Sequence, residues 1–128
     1  MIEAPRAAGP PRVLLVDDDI HSVELLGMLL ARCGFEVITA CSVDGALAAV
    51  AEKPVDVLVS DINLPDGNGY DLLRQLRAAG PLPAIALSGL DGDADITSAR
   101  EAGFNEYLGK PVSLDALVDA IERVAEAR

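Results

Sequence analysis

Residues 13–19 read Val13-Leu14-Leu15-Val16-Asp17-Asp18-Asp19, four apolar residues in a row and then three carboxylates. A strand with one wet face alternates apolar and polar residues, so an unbroken apolar run that stops abruptly predicts a strand buried on both faces. Working outward from it, similar runs recur at Glu36 to Ala40, Val55 to Ser60, Ala84 to Ser88 and Glu106 to Leu108. All are short and mostly β-branched, as strands are. The segments between and after them carry apolar residues at helical spacing: Leu114, Leu117, Val118, Ile121 and Val124 share one helix face, and Val23, Leu26 and Leu30 form a similar stripe. Gly34, Gly80 and Gly103 stand where a helix ends on a left-handed residue, while Asn68 and Ser113 stand where an N-cap side chain is needed. Strand then helix, five times over, predicts an α/β fold: a parallel sheet covered on both faces by right-handed crossover helices.

The 128 residues fit one domain, because a second core would have too little chain. We expect a flexible lead-in over residues 1–11, rich in Pro and Ala and without the apolar segment of a secretory signal, followed by a single domain over 12–126. No apolar run approaches the length of a membrane span, so the expected location is cytoplasmic with no direct membrane contact. The net charge of -11 repels a phosphate backbone, which argues against direct nucleic-acid binding. Cys33 and Cys41 lack metal-ligand spacing and are expected to be small buried hydrophobes rather than disulfide or zinc partners.

Polar residues at the ends of buried strands carry the information. The first run ends in Asp17, Asp18 and Asp19, the third in Ser60 and Asp61, the fourth in Ser88, and the fifth leads through Tyr107 to Lys110; the second ends blandly in Ala40 and Cys41. Ligands of open α/β sheets bind outside the carboxyl ends of the strands, where strand order reverses, so an edge position for the second strand explains its blank end. Three carboxylates there repel one another by roughly 4 kcal/mol per pair at 4 Å and an effective dielectric of 20. Hard oxygen ligands without His or Cys suit Mg2+, and Lys110 adds a compact positive charge. A carboxylate attacking a phosphoryl group meets repulsion between anions, which a metal ion and an ammonium relieve, and the Ser88 hydroxyl can donate to a further oxygen. The set is suited to receiving a phosphoryl group on a carboxylate.

Four segments, Val13 to Asp19, Leu58 to Gly69 (Leu-Val-Ser-Asp-Ile-Asn-Leu-Pro-Asp-Gly-Asn-Gly), Ala86 to Gly89 and Tyr107 to Pro111, together resemble the receiver domains of two-component response regulators, from about Arg12 to Val124. The resemblance implies a flavodoxin-like doubly wound (βα)5 sandwich with strand order 2-1-3-4-5. It implies that Asp61 accepts a phosphoryl group, that Asp18, Asp61 and the Asn63 carbonyl bind Mg2+, and that Asp17 acts on the ion through a water. It implies that Ser88 and Lys110 contact the phosphoryl oxygens, that Tyr107 turns inward as Ser88 moves, and that the Lys110–Pro111 bond is cis. The donor is expected to be a phosphohistidine of a histidine kinase or histidine phosphotransfer protein, docking near Ile20 and Pro111. Output is expected as a changed affinity for a downstream partner or a second copy, through the face of the fourth helix, fifth strand and fifth helix. Gly89 and Gly109 depart from the commoner pattern and are expected to loosen the switch segments, and Leu90 predicts a phosphate that outlasts seconds. His21, the only histidine, is expected on a helix surface near the site.

Three other readings are weighed. A haloacid-dehalogenase-like phosphatase would use Asp17 as nucleophile, but leaves Asp61 without a task and lacks an acidic motif beyond Lys110. A calcium loop at Asp61, Asn63, Asp66 and Gly67 fails in register, because Pro65 takes a ligand position. A receiver-like binding module independent of phosphorylation would have no need of the complete set of groups. No effector segment is expected after the last helix, and Ile85 to Gly89, Glu101 to Phe104 and Leu108 to Val112 are similar to receivers fused to hybrid histidine kinases.

Overall fold

The alternation of strand and helix is realised in full. The elements are β1 (Arg12–Val16), α1 (Ile20–Arg32), β2 (Glu36–Ala40), α2 (Val43–Glu52), β3 (Val57–Asp61), α3 (Gly69–Arg77), β4 (Ala84–Ser88), α4 (Asp93–Ala102), β5 (Glu106–Gly109) and α5 (Leu114–Glu126). Between β3 and α3 a two-residue antiparallel ladder, unexpected from the sequence, pairs Asn63–Leu64 with Gly67–Asn68. This is a computed structural model that describes residues 10–89 and 93–126, with the side chains of 93–96 left aside. The expected lead-in therefore lies outside the described residues except for Pro10 and Pro11, and so does Leu90. The Pro11 carbonyl accepts from the Glu36 amide at 3.2 Å, which ties that point of the chain to β2.

All five strands are parallel and run in the order β2-β1-β3-β4-β5, the flavodoxin-like order expected. Successive strand residues point to opposite faces. Leu14, Val16, Leu58, Ala84 and Ala86 pack toward Ala46, Leu72, Leu73 and Phe104 on one side. Val13, Leu15, Val57, Val59, Ile85 and Leu87 pack toward Val23, Leu30, Leu117 and Ile121 on the other. That double burial is why β1, β3 and β4 read as continuous apolar runs, each large side chain contributing about 1.5–3 kcal/mol by leaving water. The stripe on α5 buries Leu117, Ile121 and Val124, with Leu114 and Val118 half-buried at its border.

Helix ends follow the expected chemistry. Asn68 caps α3 by accepting from the Asp71 amide at 2.9 Å, and the Ser113 hydroxyl accepts from the Ala116 amide at 3.1 Å. Gly34, Gly80 and Gly103 all have positive φ, where a side chain would be strained. Cys33 corrects an expectation: it is the C-cap of α1 and exposed, because that position turns away from the stripe buried by Val23 and Leu30. Cys41 is half-buried against the α1 and α5 side of the core.

β3 begins at Val57, not Val55, and the reason is a polar cluster that composition did not announce. The buried Asp56 accepts from the Arg12 amide at 2.7 Å, while the Arg12 guanidinium donates to Glu36 at 2.9 Å and to the Pro54 carbonyl at 2.6 Å. Arg12 first, and Lys53 after it, hold the Glu36 carboxyl down at about 2 from its ordinary 4.5. These ions lie at the end of the sheet opposite Asp17, Asp61 and Ser88.

Candidate functional site

Register brings the polar strand ends together. Val16 pairs with Ser60, Ser60 with Ala86, Asp61 with Leu87 and Ser88 with Gly109. Asp17, Asp61, Ser88 and Lys110 consequently leave one end of the sheet, at the point where the order turns outward to β2 on one side of β1 and to β3 on the other. Asp17, Asp18 and Asp61 each offer a carboxylate oxygen within 4.8 Å of the others. Lys110 bridges two of them, its Nζ lying 2.8 Å from Asp17 Oδ2 and 3.0 Å from Asp61 Oδ2.

Three carboxylates against one ammonium leave two formal negative charges, and the imbalance is visible at Asp18. Its carboxyl is pushed up from the ordinary 3.8 by desolvation, by the hydrogen bond with Asp17 and by the charges of Asp61 and Asp17, against a smaller lowering from Lys110. For Lys110, burial alone lowers the pKa, and the bonds to Asp17 and Asp61 overcome it to give a net rise. Excess negative charge on clustered hard oxygens, with no thiolate or imidazole among them, fits a small divalent cation such as Mg2+. Asp18 is exposed and Asp17 and Asp61 are buried, so the cluster opens to solvent on the Asp18 side.

A raised acid pKa stabilises the fold only while the group is protonated, a contribution present below the unfolded value of 3.8 and lost as pH rises through the folded value. At pH 7 Asp18 is therefore a burden on the cation-free protein. Asp18→Asn is expected to raise the melting midpoint in chelator at pH 7 by about 1–3 °C, a modest gain because the group is solvent-screened. If the cluster binds Mg2+, the substitution should also abolish most of the stabilisation that added Mg2+ brings by mass action. Thermal melts with chelator and with millimolar Mg2+ check both; a variant less stable than wild type in chelator would refute the charge argument.

The two buried carboxylates of the cluster are not equivalent. Both oxygens of Asp17 are engaged, Oδ1 by the Asp19 amide at 3.0 Å and Oδ2 by Lys110. Asp61 shares Lys110 through Oδ2, but among the described residues its Oδ1 accepts only a long 3.4 Å bond from the Asn63 amide. Ser88 is buried at the end of β4, and its carbonyl accepts from the Lys110 amide at 2.8 Å, which ties the two segments together. Tyr107 lies on the strand rather than at its end, opposite Ala86, half-buried on the α3 side. The Lys110–Pro111 peptide is cis. His21 is an exposed residue of the first turn of α1, and Asp19 is the N-cap of that helix.

Two features escaped the sequence reading. Asp66, read there only within the Leu58 to Gly69 segment and a failed calcium loop, accepts from the Val43 and Asp44 amides of α2 at 2.8 and 3.0 Å. A groove of about 540 Å3 also opens beside Asp17 and Lys110, walled by Leu25, Leu29, Pro111 and Leu114. Leu25, one of its walls, stands exposed on α1, as do Ile20 and Met28 elsewhere on that helix.

Residues 13–122 match the family model described as the response regulator receiver domain. The transcriptional regulatory protein KdpE of Mycobacterium tuberculosis is 40% identical over 103 residues, which cover 80% of this chain and 46% of that protein. The virulence sensor protein BvgS of Bordetella bronchiseptica is 37% identical over 122 residues, 89% of this chain and 10% of that one. A response regulator receiver domain protein from Clostridium thermocellum superposes with a TM-score of 0.84 at 30% identity, covering 91% of this chain and 95% of that structure. The chain thus spans about half or less of the length of the curated relatives it matches. Among the described residues no helix is long and apolar enough to cross a membrane.

Proposed function

The chain belongs to the response regulator receiver domain family of two-component signalling, and on that premise we propose that Asp61 accepts a phosphoryl group from a phosphohistidine, with Mg2+ bound beside it. The observation that carries the choice of Asp61 is the unequal engagement of the two buried carboxylates. Asp17 has both oxygens committed, whereas Asp61 keeps Oδ1 weakly held and 3.0 Å separates its other oxygen from the Lys110 ammonium. In the transfer, a bond forms from Asp61 Oδ1 to phosphorus, the donor's phosphorus–nitrogen bond breaks, and the electron pair returns to the imidazole. Lys110 neutralises charge on the phosphoryl oxygens and the Ser88 hydroxyl donates to one of them. Asp18, Asp61 and the Asn63 carbonyl would hold the ion, with Asp17 behind them, and the ion would supply charge neutralisation at the phosphoryl group. The protein acts in this reading as a self-assisting acceptor in the cytoplasm, not as an enzyme on other substrates.

The groove between α1 and the Pro111 segment supports a donor that is a helix bundle. It is apolar along Leu25, Leu29 and Leu114 and leads to Lys110, so a helix laid in it presents a side chain to the carboxylates. Phosphorylation adds roughly -1.5 to -2 charge next to Ser88. The backbone bond from Lys110 to Ser88 and the pairing of Ser88 with Gly109 favour transmission into β5 and Tyr107, and from there to a partner or a second copy on the α4, β5 and α5 face.

The test is to incubate the protein with Mg2+ and phosphoramidate, a small-molecule donor, and map the modified residue by mass spectrometry. One phosphoryl group on Asp61, absent from Asp61→Asn, is expected. Modification of Asp17 would favour the phosphatase-like reading instead, and no modification at all would favour a binding module that works unphosphorylated.

A further inference from the structure

The first three amides of a helix have no partner within it, and a side chain one residue ahead ordinarily serves them. In α2 the work is divided. Ser42 Oγ accepts only from the Gly45 amide at 3.0 Å, while the Val43 and Asp44 amides are taken by the two oxygens of Asp66, 23 and 22 residues further along the chain. These two amides also hold the Asp66 carboxyl below its ordinary range. An Asp in a Pro-Asp-Gly turn usually bonds nearby backbone; here both carboxylate oxygens also reach the amino end of α2.

The loop that carries Asp66 starts at Asp61. It is closed at its base by Gly69 donating to the Ile62 carbonyl at 2.7 Å and along its length by the pairing of Asn63 with Asn68 and of Leu64 with Gly67. Its tip touches α2 directly, since a methyl group on Gly67 would stand 3.2 Å from Val43 Cγ2. Asn63, the residue whose carbonyl would face the ion, therefore sits on a short hairpin anchored at one end by β3 and at the other by a bidentate bond to α2.

We propose that Asp66 is a positioning residue for the metal and phosphoryl site: its carboxylate pins the Asn63 hairpin to the amino end of α2, so that ordering of the hairpin and of the first turn of α2 are coupled to Mg2+ binding. The proposal rests on the Mg2+ reading above. Coupling of this kind is reciprocal: if the tether helps bind the ion, the ion must tighten the tether.

The experiment compares wild type, Asp66→Ala, Asp66→Asn and Ser42→Ala by Mg2+ titration and by amide exchange with and without Mg2+. Ser42→Ala removes a cap from the same helix without touching the hairpin, so it reports what helix stability alone does. Asp66→Ala is expected to weaken Mg2+ binding about fivefold or more. Asp66→Asn, which keeps one acceptor oxygen, should fall between it and wild type, and gives a result even if the alanine variant folds poorly. Ser42→Ala should bind Mg2+ within about twofold of wild type despite a comparable loss of thermal stability. In wild type Mg2+ should slow exchange at the Val43 and Asp44 amides, and in Asp66→Ala it should not. Equal Mg2+ affinity of Asp66→Ala and Ser42→Ala would overturn the proposal. A wild type that binds no Mg2+ would be seen before any variant is compared, and would sink the metal reading itself.

Discussion

Lys110→Met is expected to lower the stability of the metal-free protein at pH 7 by about 2–4 kcal/mol, because removing one partner of a buried ion pair leaves the other charge uncompensated. Two such charges are at stake. The Asp17 and Asp61 side chains are only 8% and 10% exposed, and both carboxylates bond the same ammonium. Methionine keeps the apolar stem of the side chain, so the loss reports charge and not packing. The sign with pH is fixed by the raised pKa of Lys110: the stabilisation is complete below the ordinary 10.5 and fades only as pH climbs through the higher folded value. Wild type and variant should therefore converge in strong alkali. Two further effects run in opposite directions. Taking one positive charge from beside three carboxylates should tighten Mg2+ binding and let Mg2+ restore part of the lost stability, while acceptance of a phosphoryl group by Asp61 should slow by about 100-fold or more for want of the ammonium on the phosphoryl oxygens. Denaturant unfolding in chelator and in Mg2+, with phosphorylation kinetics alongside, checks all three. A loss in chelator under about 0.5 kcal/mol would mean that solvent screens the pair and that the bridge is not what holds the carboxylates together.

What could be read from the sequence divides along the line between local and non-local physics. Burial of β1, β3 and β4 on both faces leaves an unbroken apolar run, and a run that ends in Asp17, Asp61 or Ser88 marks a strand whose last residue meets solvent at a crevice. Helix caps at Asn68 and Ser113 are equally local, since a cap bonds amides two or three residues away. Strand order is another matter: periodicity says which faces are buried and not which strand lies beside which, so the order β2-β1-β3-β4-β5 came from the resemblance. The Lys110 bridge joins residues 93 and 49 positions apart, and only that order brings them together. Asp66 was missed for the same reason, because its partners lie in a different element and nothing adjacent marks the bond. Arg12, Asp56 and Glu36 form their cluster across three strand starts, so no single stretch betrays it. Cys33 failed differently: a rule about cysteine in general was applied to a C-cap, where position decides exposure.

The same contrast between residue type and position gives the second large effect, at a glycine whose backbone is ordinary. Gly69 is not among the positive-φ positions, so conformational freedom is not what it supplies. It supplies room: a Cβ there would lie 2.6 Å from the backbone oxygen of Asp61, 3.3 Å from Ile62 Cα and 3.4 Å from the Asp61 carbonyl carbon. A flexible side-chain tip could swing aside, but these are backbone atoms at the end of a central strand. On the other side, α3 is fixed by the Asn68 cap and by the fully buried Leu72 and Leu73. Gly69→Ala must therefore displace either the start of α3 or the residue that carries the proposed acceptor. We expect a loss of about 2–3 kcal/mol from overpacking. A shift near 1 Å at Asp61 should cost phosphoryl acceptance up to about 100-fold. Gly89→Ala is the matched control, because a Cβ at Gly89 meets nothing within 4 Å among the described residues. Its stability should stay within about 0.5 kcal/mol of wild type. Denaturant unfolding of the two variants side by side decides the matter: a Gly69→Ala protein as stable as Gly89→Ala would show that α3 and β3 can part without cost, and that the site is not held by this close approach.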